Sequence, residues 1–247
     1  MRTYTRSILI TSFLMLFSTS VFSGQHFTVG TENLEYLPFG TSVDGKATGF
    51  FKDVLDEFGK TKGYTFTLAP TPVKRLMNNL ITDKIDFKIP DNPIWASSLK
   101  TGKNITYSTP LTVYLDGVLV DPKNKGTGYE NLSSLVTVRG FTPFIFLDDI
   151  AKGSIKLQET SDLAAVIKMV SAGRAQGGFA NITVAQRYMK DTLKKPNLLV
   201  YDEGIPTAKS DISLSTTKHP KVIEEFNAFL QSHAQWIADL KKEKSVP

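Results

Sequence analysis

The chain contains no cysteine. That excludes disulfides, zinc–thiolate sites, thiol nucleophiles and lipid attachment at an N-terminal cysteine. A domain of this size builds a core without disulfides, so their absence does not argue against export. Histidine is scarce too. The three present, His26, His219 and His233, are scattered and match no metal-ligand or nucleophile–base spacing. Charge of one sign is in small excess, +5 over 247 residues. No basic stripe is interleaved with aromatics, so no nucleic-acid partner is expected. Lys241-Lys242-Glu243-Lys244 reads as a solvated helix end. Long apolar runs are also lacking. The most apolar stretch, 8–17, falls short of the ~20 residues that a membrane span needs.

What flanks that stretch gives it a meaning. Arg2 and Arg6 lie near its start, small and polar residues follow, and Val21-Phe22-Ser23 supplies compact residues at positions −3 and −1. This is the layout of a secretory signal peptide cut after Ser23. Removing 23 of the 247 residues leaves 224, above the ~100–150 residues common for one core. Two lobes are therefore expected, free in the periplasm.

Short β patterns alternate with helical ones. Strands are predicted at 26–30, 64–68 and 84–89. Between them, helices are predicted over 49–60, with Phe51, Val54, Leu55 and Phe58 on one face, and over 73–81. Gly63 suits a C-terminal cap. A longer β segment spans 109–120. A second set follows: strands at 135–139, 155–158, 177–180 and 198–201, and helices over 143–150, 162–172 and 183–193. Segment 210–215 alternates again, and 221–242 closes the chain in one or two helices, with Pro220 at a first helical position. The order argues for mainly parallel sheets in α/β lobes.

Several stretches, taken in order, resemble the family 3 extracellular solute-binding proteins, the polar amino-acid type of ABC import systems. They are Phe27-Thr28-Val29-Gly30-Thr31-Glu32 with Tyr36-Leu37-Pro38-Phe39, Gly49-Phe50-Phe51-Lys52-Asp53-Val54, and Pro72-Val73-Lys74-Arg75-Leu76 with Ile85-Asp86. Tyr107-Ser108-Thr109-Pro110, Ser171-Ala172-Gly173-Arg174-Ala175 and Gly178-Phe179-Ala180-Asn181 continue the match. The resemblance implies the two-lobed type II periplasmic binding protein fold, two α/β lobes joined by two hinge strands. Lobe 1 would hold 24–110 and 207–247, lobe 2 would hold 111–206, and hinge segments would lie near 110–115 and 203–208. It implies a small polar ligand, amino-acid-like or anionic, captured by hinge closure without chemistry. No cofactor or metal is expected. The partner would be a membrane permease or a membrane receptor, and the chain a monomer.

Candidate ligand-binding residues follow. Arg139 and Thr142 lie between a strand and a helix, where backbone N–H groups favour an anion and an Arg fork suits a carboxylate. Tyr36 matches the position of a stacking aromatic. Trp95 and Asn92 follow the third strand, and Arg75 opens the second helix. The family's ammonium-holding Asp falls on Asn181, a neutral amide. Its carboxylate-clamping Arg falls near Ser98, with Lys100 close by, and Lys cannot reproduce a bidentate fork. Glu32 or Asp91 could replace the lost acid; alternatively the ligand has no ammonium. A rival reading is a periplasmic dehydratase of prephenate or arogenate. It needs a tuned carboxylic acid, for which Glu32, Glu35 and Asp91 qualify by location.

Mass spectrometry of the periplasmic fraction of an expressing Gram-negative host checks the leader. The expected species begins at Gly24; full-length protein confined to the membrane fraction would contradict the cleavage.

Overall fold

The computed structural model describes residues 24–43 and 46–247. The signal-peptide reading concerns 1–23 and lies outside them. The first lobe runs β1 (His26–Glu32), β2 (Thr41–Val43), β3 (Lys46–Thr48), α1 (Phe50–Lys62), β4 (Thr65–Thr71), α2 (Val73–Ile81), β5 (Phe87–Asp91), α3 (Ser97–Lys100) and β6 (Thr106–Tyr107). The chain crosses on β7 (Thr112–Val120). The second lobe holds β8 (Ser134–Val138), α4 (Leu147–Lys152), β9 (Lys156–Thr160), α5 (Leu163–Ser171), β10 (Gly177–Asn181), α6 (Ile182–Arg187) and β11 (Val200–Tyr201). It returns on β12 (Ala208–Thr216), and α7 (Pro220–Ser232) and α8 (Ala234–Lys244) complete the first lobe.

The sheet has the order β4-β1-β5-β12-β7-β10-β8-β9. At one end β4, β1 and β5 are parallel; at the other, β10, β8 and β9 are parallel. The middle pair, β12 and β7, is antiparallel. Residues 208–212 of β12 pair with β7, and Ser213 and Ser215 pair with β5. Two long strands running in opposite directions thus join two α/β lobes.

Local sequence explains the elements. Helix α1 buries Phe51, Val54, Leu55 and Phe58, and Gly63 ends it in a left-handed conformation at φ 72° with its N–H on the Gly59 carbonyl. Asp162 caps α5 by accepting the Ala165 N–H. The first core is aromatic: the rings of Phe58 and Phe226 lie 5.0 Å apart and those of Phe27 and Phe87 5.3 Å. Val118, Leu135, Phe146 and Phe179 gather in the second lobe.

Some expectations shift. The third strand lies at Phe87–Asp91 rather than 84–89, because Ile85 packs instead with Leu76, Met77 and Leu80 of α2. The helix expected over 183–193 divides into α6 and a π turn, Tyr188–Thr192, which the Leu193 N–H closes on the Tyr188 carbonyl. The strand expected over 198–201 shortens to β11. The β2–β3 hairpin and α3 are too short to carry a period.

A buried ion cluster fastens β5 to its neighbours. Asp91 is fully buried, and its Oδ1 lies 3.0 Å from both Lys88 Nζ and Lys100 Nζ. Its Oδ2 accepts from Ser215 Oγ on β12 at 2.6 Å. Burial pushes the carboxyl up, but the two lysines and Ser215 outweigh it and hold the group below its usual range. This contribution is therefore present above the unfolded pKa and is lost as pH falls through the folded one. Asp91→Ala strands two buried lysines and should cost about 3–5 kcal/mol at pH 7 in urea unfolding. A cost under about 1 kcal/mol would contradict this account of the cluster.

Candidate functional site

The carboxyl ends of β1, β5 and β8 open on a narrow cleft of about 60 Å³ between the lobes. α/β folds place ligands outside such strand ends. The first lobe contributes Glu32 at the end of β1, Tyr36 from the loop after it, Lys88 on β5 and Trp95 just beyond. From the other side come Tyr114 and Asp116 on β7, Phe141 and Thr142 after β8, and Phe179. The aromatic rings frame the space. Tyr36 meets Phe141 edge to face at 5.8 Å, and Tyr114 stands 5.8 Å from both Tyr36 and Trp95.

The lobes also touch at the rim. Lys74 Nζ on α2 bonds Glu159 Oε2 on β9 at 2.9 Å, and Glu159 Oε1 accepts the Gly140 N–H. Gly140 has φ +97°, and a Cβ there would stand 2.9 Å from the Lys74 backbone nitrogen. Only glycine allows this approach.

The charges inside are unusual. Asp116 is 9% exposed and its Oδ1 has no hydrogen-bond partner; neither has the buried hydroxyl of Tyr114. These two residues share one face of β7, and Ser210 Oγ, opposite Tyr114 on β12, is also unpartnered. Burial pushes the Asp116 carboxyl up to about 7, offset in part by the Asn181 side chain. Glu32, whose residual exposure faces the cleft, is also pushed to about 7. Burial raises it most, Lys88 pulls it down, and Asp116 and Asp91 add repulsion.

Of the residues read from sequence, Tyr36, Trp95 and Thr142 line this cleft, and so does Glu32, read as a replacement acid. Arg139, Arg75, Asn92 and Asn181 do not. Arg139 is exposed, because strand alternation buries Val138 and turns the next side chain outward. The residues after it enter a 3-10 turn, Phe144–Phe146, rather than a regular helix start. Arg75 is exposed on α2, which presents Val73, Leu76 and Met77 to the cleft instead. Asn92 is a turn residue whose Oδ1 accepts the Ile94 N–H while its amide donates to the Asp211 carbonyl. Asn181 caps α6 through the Val184 N–H. Lys100 and Asp91 are spent on each other, and Glu35 is exposed. Sequence reasoning missed Tyr114, Asp116 and Lys88. The signal for Asp116 was present: an acid inside the apolar run TVYLDGVLV. It stands directly opposite Asn181 in the β7–β10 register.

No family model matches the sequence, and no curated protein does. Solved structures do. A periplasmic binding protein of Salmonella typhimurium with high arginine specificity aligns at TM-score 0.72 and 15% identity, covering 90% of this chain and 99% of that one. The chain has the type II periplasmic binding protein fold. A histidine kinase sensor domain with similarity to periplasmic binding proteins shares this fold at TM-score 0.73 and 13% identity, with 90% and 96% covered. So does an ancestral amino-acid-binding protein, a precursor of cyclohexadienyl dehydratase, at TM-score 0.71 and 20% identity, with 89% and 95% covered. Within the periplasmic binding fold, the cleft described above lies between the two lobes. Among the described residues no helix is long and apolar enough to cross a membrane.

The raised carboxyl of Asp116 sets a pH signature. Between about pH 4, where an unfolded Asp ionises, and about 7, the folded chain holds a proton that the unfolded chain releases. Stability from this group thus declines as pH rises through that window. Asp116→Asn should raise stability at pH 8 by about 2–4 kcal/mol, at ~1.4 kcal/mol per pKa unit, and change little at pH 4. Denaturant melts at both pH values check it; equal effects at the two would contradict it.

Proposed function

We propose that the protein is a periplasmic solute-binding protein. It captures a small organic molecule in the interlobe cleft by closing its lobes and delivers it to a membrane permease. One observation carries the reading: Asp116 Oδ1 and Tyr114 Oη are buried without partners beside an aromatic-framed cleft. Buried polar atoms of a native protein are nearly always satisfied, and leaving them bare is costly. A bound solute that meets the cleft-facing edge of Asp116 would offset part of that cost. In this reading 24–110 with 207–247, and 111–206, are the moving bodies, and segments near 110–115 and 203–208 are the hinges. The Lys74–Glu159 pair and the Gly140 approach mark the closed rim.

Tyr36, Trp95 and Thr142 are the sequence-predicted contacts that this reading keeps, with Tyr114 and Asp116 added. Arg139 and Arg75 would act at the rim, and Asn181 would position Asp116 from the adjacent strand. The similar sensor domain supports a second partner class, a membrane receptor that reads the closed form. A dehydratase is a further alternative, favoured by the raised carboxyls of Glu32 and Asp116 and by the similarity to a dehydratase precursor. Turnover of prephenate by the purified chain would favour it over simple binding.

A thermal-shift screen of amines, amino acids and dicarboxylates tests the reading, because a ligand that binds the native state alone raises the melting temperature. Tyr36→Ala should weaken any hit at least about tenfold, or ~1.4 kcal/mol, with the fold intact. Gly140→Ala should weaken it similarly and keep the radius of gyration at its ligand-free value in small-angle scattering. Unchanged affinity in both variants would remove the cleft as the site.

A further inference from the structure

We propose that the cleft takes a small organic cation bearing no carboxylate of its own, an amine or guanidinium held between Glu32 and Asp116 inside the aromatic frame. This deepens the binding-protein reading and rests on it.

The balance of charge and of donors in the cleft favours a cation. Two ammonium groups and three carboxylates gather around the cleft: Lys88 and Lys100 against Asp91, Glu32 and Asp116. With all ionised, one negative charge is in excess. Both lysines are committed to Asp91, and they also donate to backbone carbonyls, Lys88 to Pro90 and Lys100 to Asn92. Among the described residues lining the cleft, Lys88 is the one cation, and its Nζ also sits 5.9 Å from the Trp95 ring centroid. Arg75 and Arg139, the two forks that could clamp a carboxylate, are exposed and absent from the lining. An incoming carboxylate would find no free bidentate donor and would face two acids. A cation finds the reverse. The carboxyls of Asp116 and Glu32 in the lining accept it, and the aromatic rings of Tyr36, Trp95 and Phe141 surround it.

The pH dependence has a defined sign. Glu32 and Asp116 hold protons near neutrality in the empty cleft. The groups that face them are Lys88 and Asp91 on β5, Asn181 on β10 and the hydroxyls of Tyr36 and Tyr114, and Asp116 itself repels Glu32. A cation displaces protons from the acids, so its affinity rises with pH up to the empty-state pKa values and then levels off. An anion would show the opposite trend.

Matched pairs differing only in the carboxylate decide the matter: agmatine against arginine, and cadaverine against lysine, with succinate as an anion. Isothermal titration of the purified chain at pH 6, 7 and 8 reads each. Agmatine or cadaverine should bind at least about tenfold tighter than its amino acid, with affinity increasing from pH 6 to 7 and protons released to the buffer. Asp116→Asn should remove at least about tenfold of this affinity and flatten the pH trend while keeping its melting temperature at pH 4. Tighter binding of an amino acid or of succinate overturns the cation assignment and leaves the binding-protein reading standing. Silence from every probe overturns both. Binding unchanged in Asp116→Asn removes Asp116 from the site.

Discussion

Asp91 takes both ammonium groups available to the cleft's first lobe, and the character of the cleft follows from that pairing. A buried charge without a partner is costly enough that proteins pair it or neutralise it. Here one fully buried carboxylate satisfies Lys88 and Lys100 together while receiving Ser215 from the crossing strand. Each lysine thereby spends two of its three donors inside the protein. Asp116, with an oxygen left bare, remains as an acid that nothing in the chain fully balances. The cluster also ties β5 to β12, so the element that consumes the positive charge braces one wall of the cleft.

The two crossing strands set the rest of the geometry. β7 and β12 lie side by side in the centre of the sheet and carry the chain between lobes in opposite directions. Residues on one face of this ribbon, Tyr114 and Asp116, enter the cleft from its floor. A side chain placed there faces both lobes at once. The rim contacts are of a different kind: a half-exposed lysine–carboxylate pair and a glycine that permits close backbone approach. Exposed ion pairs are worth little, which suits a contact that must form and break.

Much of the fold was legible in the sequence, because hydrophobic period and capping residues are local. The apolar stripe of α1, the glycine that ends it and the β–α alternation all appear in the structure where the pattern put them. The short elements β6 and α3 carry no period and were invisible. The site was legible only in part. Trp95 and Thr142 follow strand ends, and Tyr36 matches the family's stacking aromatic, so local position and the resemblance together pointed to them. Arg139 and Arg75 have the right chemistry at neighbouring positions, but which way a side chain turns depends on register and helix face. Asp116 needed the pairing of β7 with β10, a contact between residues 65 positions apart in the chain. Its acid inside an apolar run was the one local sign, and burial alone does not say whether such a group is paired.

The central claim is that the bare carboxylate of Asp116 is where a captured solute is anchored. A crystal structure of the protein soaked or grown with agmatine tests it most directly. The account predicts closed lobes with a ligand nitrogen within hydrogen-bonding distance of the Asp116 carboxyl and the Tyr36 ring against the chain of the ligand. A ligand bound with its charged ends away from Asp116 would contradict it, as would a ligand-free crystal in which a protein cation already fills that place.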